Sequence, residues 1–397
     1  MSRLLVSLAA ISLLAACATP APQPVAECPP AKPCASCPLS LGAEPAPEPE
    51  KPLQAADWTE IPGWQDDDLL PAFAAFRAEC ERIESQPLWT ATCASARIAD
   101  VTTDAAARAW FESEFRPWAL VEPDGTREGT VTGYYEPLLK GSRMRRSPYL
   151  WPLFGPPEDL VVVDLAEVYP ELKSLRLRGR LQGRKLVPYY TRAEWTEQEE
   201  GRSDGALMWI DDPLDLFFLQ IQGSGQVVLD DGTRVRVSYA DQNGHPFRSI
   251  GRWLIDQGEI KLEQASMQGI KAWGRANPQR LQEMLNANPS LVFFRELPAE
   301  GSGPPGALGV PLTPERSIAV DPHILTLGAP VFLATTWPND NKPLQRLMLA
   351  QDTGGAIRGA VRADFYWGSG AEAGALAGKM RQRGSMWQLL PKSWSPK

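Results

Sequence analysis

The 397-residue chain is poor in histidine, with only His245 and His323. That argues against a histidine-rich metal site and leaves few partners for a Ser-His-Asp triad. A Walker-type glycine loop is missing. Gly354-Gly355 is no nucleotide fingerprint, since it lacks the strand–GxGxxG–helix context. Neither a metal nor an organic cofactor is expected. Net positive charge is also missing: 40 Lys and Arg stand against 48 Asp and Glu, a formal charge of −8. Nucleic acid, which calls for a basic face, is disfavoured. The N-terminal apolar stretch, residues 4–14, is too short to span a bilayer as a helix. No fixed-period repeat is evident.

What is present begins at the N-terminus. Arg3 precedes the apolar stretch, and Leu14-Ala15-Ala16-Cys17 closes it. Small residues directly before a cysteine resemble a bacterial lipoprotein signal. The resemblance implies removal of residues 1–16 and acylation of Cys17. The alternative is an ordinary signal peptide with Cys17 incidental. Ala18 stands where inner-membrane retention usually has Asp, so the resemblance points to an outer-membrane lipoprotein facing the periplasm. Several buried acyl chains, at ~0.8 kcal/mol per methylene, would anchor it firmly.

Residues 17–57 read as a tether rich in Pro and Ala, as in Glu44-Pro45-Ala46-Pro47-Glu48-Pro49-Glu50. Such composition favours extended, semi-rigid chain. Cys28, Cys34 and Cys37 lie there. Cys34-x-x-Cys37 lacks a second half and carries little weight as a redox or metal motif. In an oxidising compartment Cys80 and Cys93 are a candidate disulfide. Pairing within the tether does not follow from sequence.

The body starts near Trp58. Helical spacing of Leu69, Leu70, Phe73, Phe76 and Cys80 predicts a helix over 68–83, with Asp68 as cap and Pro71 in its first turn. A second helix is expected over 103–115. Thr132-Gly133-Tyr134-Tyr135-Glu136-Pro137 reads as a strand ending at proline. Residues 141–240 show short apolar runs between Gly, Pro and Asp, including a hairpin around Asp230-Asp231-Gly232-Thr233. They read as an inserted all-β domain. Helices return at Ile250 and at Asn277-Pro278. Ile318-Ala319-Val320, Val331-Phe332-Leu333-Ala334 and Leu347-Met348-Leu349-Ala350 are runs suited to strands covered on both faces. Closure into a barrel is the simplest solution.

With histidine, cysteine and phosphate loops set aside, carboxylates remain. Asp321, Asp352 and Asp364 each follow or interrupt a strand-like run near Gly or Pro. Any one alone is most often a turn former. Three together beside aromatics suit glycosidic-bond cleavage, in which a protonated carboxyl donates to the departing sugar oxygen. Burial beside Phe365, Tyr366 and Trp367 would raise a carboxyl pKa and keep it protonated. The 14 tryptophans suit sugar stacking as well as core packing. Ile221-Gln222-Gly223-Ser224-Gly225 reads equally well as a close-approach polysaccharide contact and as a strand with a Gly-Ser turn.

These segments, with Asn243-Gly244-His245-Pro246-Phe247-Arg248-Ser249-Ile250-Gly251, Asn288-Pro289-Ser290-Leu291-Val292-Phe293-Phe294 and Asp352-Thr353-Gly354-Gly355-Ala356-Ile357-Arg358-Gly359, resemble the membrane-bound lytic murein transglycosylase A family. The resemblance runs through nearly the whole body. It implies a mainly β fold with some helices (α+β): a double-psi β-barrel from residues 58–140 and 241–397, and a smaller β-barrel inserted at 141–240. The groove between them would bind peptidoglycan glycan strands. The three-Asp segment resembles the family's 3D domain. Asp364 matches the single catalytic acid, Asp352 the neighbouring carboxylate and Asp321 the third. Phe365 stands where the family often has an aliphatic residue, and Thr353 where it often has an apolar one. Tyr134, Tyr135, Gln222, Gly223, Ser224, Gly225, Gly354 and Gly355 are the candidate substrate contacts. The implied reaction breaks the β-1,4 bond after N-acetylmuramic acid and closes a 1,6-anhydro ring. The competing readings are a two-carboxylate peptidoglycan hydrolase and a non-catalytic murein-binding lipoprotein.

Overall fold

The computed structural model describes residues 52–172, 175–298 and 303–395. The signal segment, Cys17 and the three tether cysteines lie outside them. The fold is mixed α+β.

Six strands close a barrel. In spatial order they are Gly129–Glu136, Arg362–Ser369, Ser317–Val320, Pro343–Thr353, Pro330–Thr336 and Arg381–Pro391, which pairs back onto Gly129–Glu136. Two ladders are parallel, Arg362–Ser369 on Gly129–Glu136 and Ser317–Val320 on Pro343–Thr353. The other four are antiparallel. The apolar runs are continuous because both faces are covered. Met348, Ala350, Val331 and Leu333 join Ile318, Val320 and Phe365 in one buried cluster, the barrel interior. Leu347, Leu349 and Phe332, at the alternate positions, pack outward against helices.

Those helices are Leu70–Ile83, Thr90–Ile98 and Asp104–Glu114, contributing Phe73, Phe76, Trp110 and Phe111, with Trp89 at the N-cap of the second. The Cys80–Cys93 disulfide ties the first two together. Asp68 does not cap the first helix. Its N-cap is Leu69, and the Asp104 carboxylate accepts from Leu70 N at 2.9 Å instead. Thr103 caps the third helix, accepting from Ala106 N at 3.2 Å.

The body begins earlier than the composition suggests. Leu53–Ala55, expected in the tether, pair antiparallel with Phe115–Leu120, and Leu53 packs on the core. The stretch 141–240 is not all-β, since it holds the helices Arg192–Gln198 and Pro213–Gln222. Its principal sheet takes strands from outside that stretch. The order is Val292–Leu297, Arg234–Gln242, Ser224–Leu229, Leu138–Ser142, Ala206–Ile210, Trp151–Phe154. No ladder joins its first and last strands among the described residues, so a second closed barrel is not seen. The helices Ile250–Asp256, Met267–Ala276 and Leu281–Asn286, expected with the catalytic barrel, pack instead around Leu214, Phe217 and Phe218 of this second lobe.

The lobes are tied by a buried ion pair. Glu136, at the end of the barrel strand, accepts from Arg236 Nε and Gln226 Nε2, each at 2.8 Å. Both Glu136 and Arg236 are buried. Such a pair is strongly destabilising to break, because the survivor is left charged in low dielectric.

Candidate active site

Residues in register across neighbouring strands share a sheet face. Ala319 registers against Asp352 on one side and Asp364 on the other, and Asp364 registers against Thr132. One row therefore carries Asp352, Ala319, Asp364 and Thr132 across four adjacent strands. Tyr134 and Tyr366, two residues further along their strands, lie on the same face with ring centroids 5.2 Å apart. Buried Ala319 belongs with both tyrosines, Leu312 and Ile357 in a small apolar cluster beneath the carboxylates.

Asp352 reaches this face through a β-bulge. Strict alternation after Met348 and Ala350 would turn it into the barrel interior. The register shifts by one residue between Ile318 and Ala319, leaving Gln351 as the extra residue. Bulges commonly re-aim side chains in this way. Gln351 is itself fastened from behind: it accepts from Ser317 Oγ at 2.5 Å and donates to Glu79 Oε2 at 2.8 Å.

The two carboxyls have different surroundings. Asp352 Oδ1 accepts from Ala307 N and Thr353 N, each at 2.9 Å, and Oδ2 accepts from the Tyr134 hydroxyl at 3.0 Å. Burial raises its pKa, and these three donors oppose the rise. Asp364 Oδ1 accepts from Thr132 Oγ1 at 2.6 Å, and Arg362 Nη2 donates to the same hydroxyl oxygen at 2.9 Å. Burial raises the Asp364 pKa. Thr132 and Arg362 oppose the rise, and the negative charge of Asp352 adds to it. Asp352 has the donors that favour an anion, and Asp364 has fewer. Of the flanking aromatics only Tyr366 shares this face. Phe365 and Trp367 fill the barrel interior.

Asp321 plays a different part. Buried after the Ser317–Val320 strand, it accepts from His323 N, Gly359 N and Arg358 Nη1 at 3.1–3.2 Å. It pins the loop between the Asp352 and Asp364 strands.

A cavity of about 490 Å³ opens beside Asp352. Asp352, Gly354 and Gly355 line it from the barrel, and Gln222, Gly223 and Ser224 from the second lobe. Asp364, Tyr134, Tyr135 and Gly225 do not line it. Tyr135 is a core residue whose N–H donates to Gln222 Oε1 at 3.0 Å. The segment 221–225 is the end of a helix rather than a strand and turn. Gly223 caps it in the left-handed conformation, at φ 79°, and Ser224 opens the next strand. No tryptophan lines this cavity; its aromatics are Tyr239 and Phe247. Thr132, Arg362, Ala319 and Ala307 were not singled out from sequence. The first three lie within or beside the quoted motifs, so a hydroxyl or cation beside a candidate acid was the available signal.

Residues 130–295 match the MltA specific insert domain, and residues 316–390 match the 3D domain. Membrane-bound lytic murein transglycosylase A of Escherichia coli K12 is 33% identical over 280 residues, which is 68% of each chain. The chain belongs to the membrane-bound lytic murein transglycosylase A family. Among solved structures of the same kind, MltA from Neisseria gonorrhoeae in its monoclinic form shares 41% identity. Its TM-score is 0.75, covering 87% of this chain and 94% of that one. The lytic transglycosylase LtgG of Burkholderia pseudomallei shares 49%, with a TM-score of 0.59 and coverage of 87% and 97%.

Proposed function

We propose that Asp364 is the acid and base of a murein lytic transglycosylase. The chain cleaves peptidoglycan glycan strands without hydrolysis, as its family membership entails. The row Asp352–Ala319–Asp364 carries the assignment: two buried carboxylates share one face with small Ala319 between them, and Asp352 accepts three hydrogen bonds that favour its anion where Asp364 accepts one. Where two acids have surroundings that separate their protonation, the less stabilised one is the proton donor.

Asp364 Oδ1 is taken by Thr132, so Oδ2 holds the proton. Asp364 gives it to the oxygen leaving C1 of N-acetylmuramic acid as that C1–O bond breaks. The C6 hydroxyl of the same sugar attacks C1, and its proton passes to the Asp364 carboxylate. A 1,6-anhydro ring closes, and the acid is restored. An internal nucleophile brings high effective molarity and needs no positioned water. One carboxyl then does both proton transfers, where most glycoside hydrolases use two. Asp352 remains ionised and stabilises positive charge developing at C1. Gln222, Gly223, Ser224, Gly354 and Gly355 hold the glycan in the cavity beside Asp352, and from there it extends past Asp352 to bring the bond to be cut toward Asp364, two strands away.

The finer architecture belongs to the same reading. The parallel ladders within the barrel support a double-psi topology, and the six-stranded sheet, unclosed among the described residues, is the counterpart of the expected smaller barrel. Lipidation at Cys17 would place the enzyme on the outer membrane, facing the periplasm. Digestion of purified murein tests the reaction: the anhydro product is lighter by one water than a hydrolysed one. Reducing-end product alone would overturn it.

A further inference from the structure

The wall of the cavity opposite Asp352 carries three arginines, all from the second lobe. Arg192 opens the helix Arg192–Gln198 and is buried. It donates to Gln220 Oε1 and Ser290 O, each at 2.6 Å, and to Asn288 O at 3.1 Å. All three acceptors are neutral, so among the described residues no carboxylate is hydrogen-bonded to this buried group, and Glu199 acts on it through its charge alone. Arg295, on the strand Val292–Leu297, is exposed and makes no ion pair among the described residues. Arg176 is exposed, with its guanidinium 5.7 Å from the Tyr239 ring centroid. It too makes no ion pair among the described residues. Asp352 is the one carboxylate among the residues that line the cavity. This excess of positive charge stands in a chain whose formal charge is −8.

A neutral sugar can accept hydrogen bonds from such a wall but leaves its charge unmatched. The backbone of the glycan strand is uncharged; its substituents are not. Peptide stems on the lactyl groups of muramic acid carry free carboxylates, and paired hydrogen bonds from guanidinium suit carboxylate geometry. We propose that Arg176 and Arg295, backed by the buried charge of Arg192, form a subsite for the carboxylates of the peptide stem. The enzyme thereby selects peptide-bearing glycan over bare glycan. This rests on the transglycosylase reading above and adds a direction to it: the sugars lie along the barrel wall and the stem points into the second lobe.

The test compares glycan strands with intact stems, strands stripped of peptide whose lactyl carboxylates, freed by the stripping, are then amidated, and strands whose stem carboxylates are amidated. The readout is kcat/KM for anhydro-product release by the full chain. Wild type favours the intact stems, and amidation moves it toward the stripped value. The Arg176→Gln/Arg295→Gln variant lowers the intact-to-stripped ratio by roughly tenfold or more, the loss expected for charge-assisted hydrogen bonds. The ratio is the readout because Arg176 also acts on the charge of Asp352. Both arginines are exposed, and a matching thermal melt shows that the variant folds. Equal wild-type rates on intact and stripped strands overturn the proposal, as does an unchanged ratio in the variant. If wild type releases no anhydro product from any of the strands, the transglycosylase reading fails as well.

Discussion

Asp352 and Asp364 share no ladder, yet both register against Ala319, one from each side. With neighbouring strands ~4.8 Å apart, the two acids stand two strands apart on one face. They are close enough for the charge of Asp352 to act on Asp364.

Removing that charge has a signed consequence. Asp352 holds the Asp364 proton on, so Asp352→Asn lowers the Asp364 pKa. The alkaline limb of kcat/KM then moves to lower pH, and reduced turnover survives. Asp364→Asn removes the proton donor and costs at least ~10²–10⁴ in rate. pH–rate profiles of both variants on purified murein decide the matter. Equal abolition by the two would favour a two-carboxylate hydrolase.

Ala319 is the floor between the acids. Ala319→Leu overpacks the buried cluster it shares with Tyr134, Leu312, Ile357 and Tyr366, which displaces the acids, lowers kcat sharply and costs about 1–3 kcal/mol of stability. Activity measured well below the melting temperature separates the two effects. A fully active Ala319→Leu would show that the spacing of the acids does not depend on a small residue there.

Asp321 is expected to matter for stability rather than chemistry. Asp321→Ala leaves the Gly359 and His323 N–H groups and Arg358 without their acceptor, costing about 1–3 kcal/mol. Denaturant unfolding shows the loss, and kcat of the folded variant is retained.

Glu79 supplies a pH dependence. Burial lifts its carboxyl well above the ordinary 4.5, so the folded protein keeps a proton that the unfolded chain releases. That contribution is complete below the ordinary carboxyl range and is lost as pH rises toward the folded value. Glu79→Gln cannot ionise. Its melting temperature should therefore vary less than wild type between about pH 5 and about pH 8.

The clasp between the lobes can be tested by paired substitution. Glu136→Ala removes the buried carboxylate that Arg236 Nε donates to and costs about 3–5 kcal/mol, while Glu136→Leu with Arg236→Met recovers much of it. Chemical denaturation of the single and double variants measures the difference.

The strands of the 3D segment were legible because Val331-Phe332-Leu333 and Leu347-Met348-Leu349 are apolar at every position, as only doubly covered strands are. The helix Pro213–Gln222 was not. Its Leu214, Phe217 and Phe218 meet other helices while Leu216 and Leu219 meet the sheet, so covering on both sides hides the helical period. The capping role of Asp104 was hidden too, since its partner Leu70 is 34 residues away. The acids themselves were legible as residues, but not as a site. Nothing local announces the bulge at Gln351, and Glu79 reaches Gln351 across 272 residues.

That distance is not exceptional here. Thr132 and Asp364 are separated by 232 residues, and the barrel closes only when Arg381–Pro391 pairs with Gly129–Glu136. The earliest barrel strand must wait for the last one to be synthesised. A chain emerging N-terminus first cannot assemble its acid until almost every residue is available. An enzyme that cuts the cell's own wall is thus expected to stay inert until the strand Arg381–Pro391 is made, since a product ending before Arg381 lacks the strand that closes the barrel.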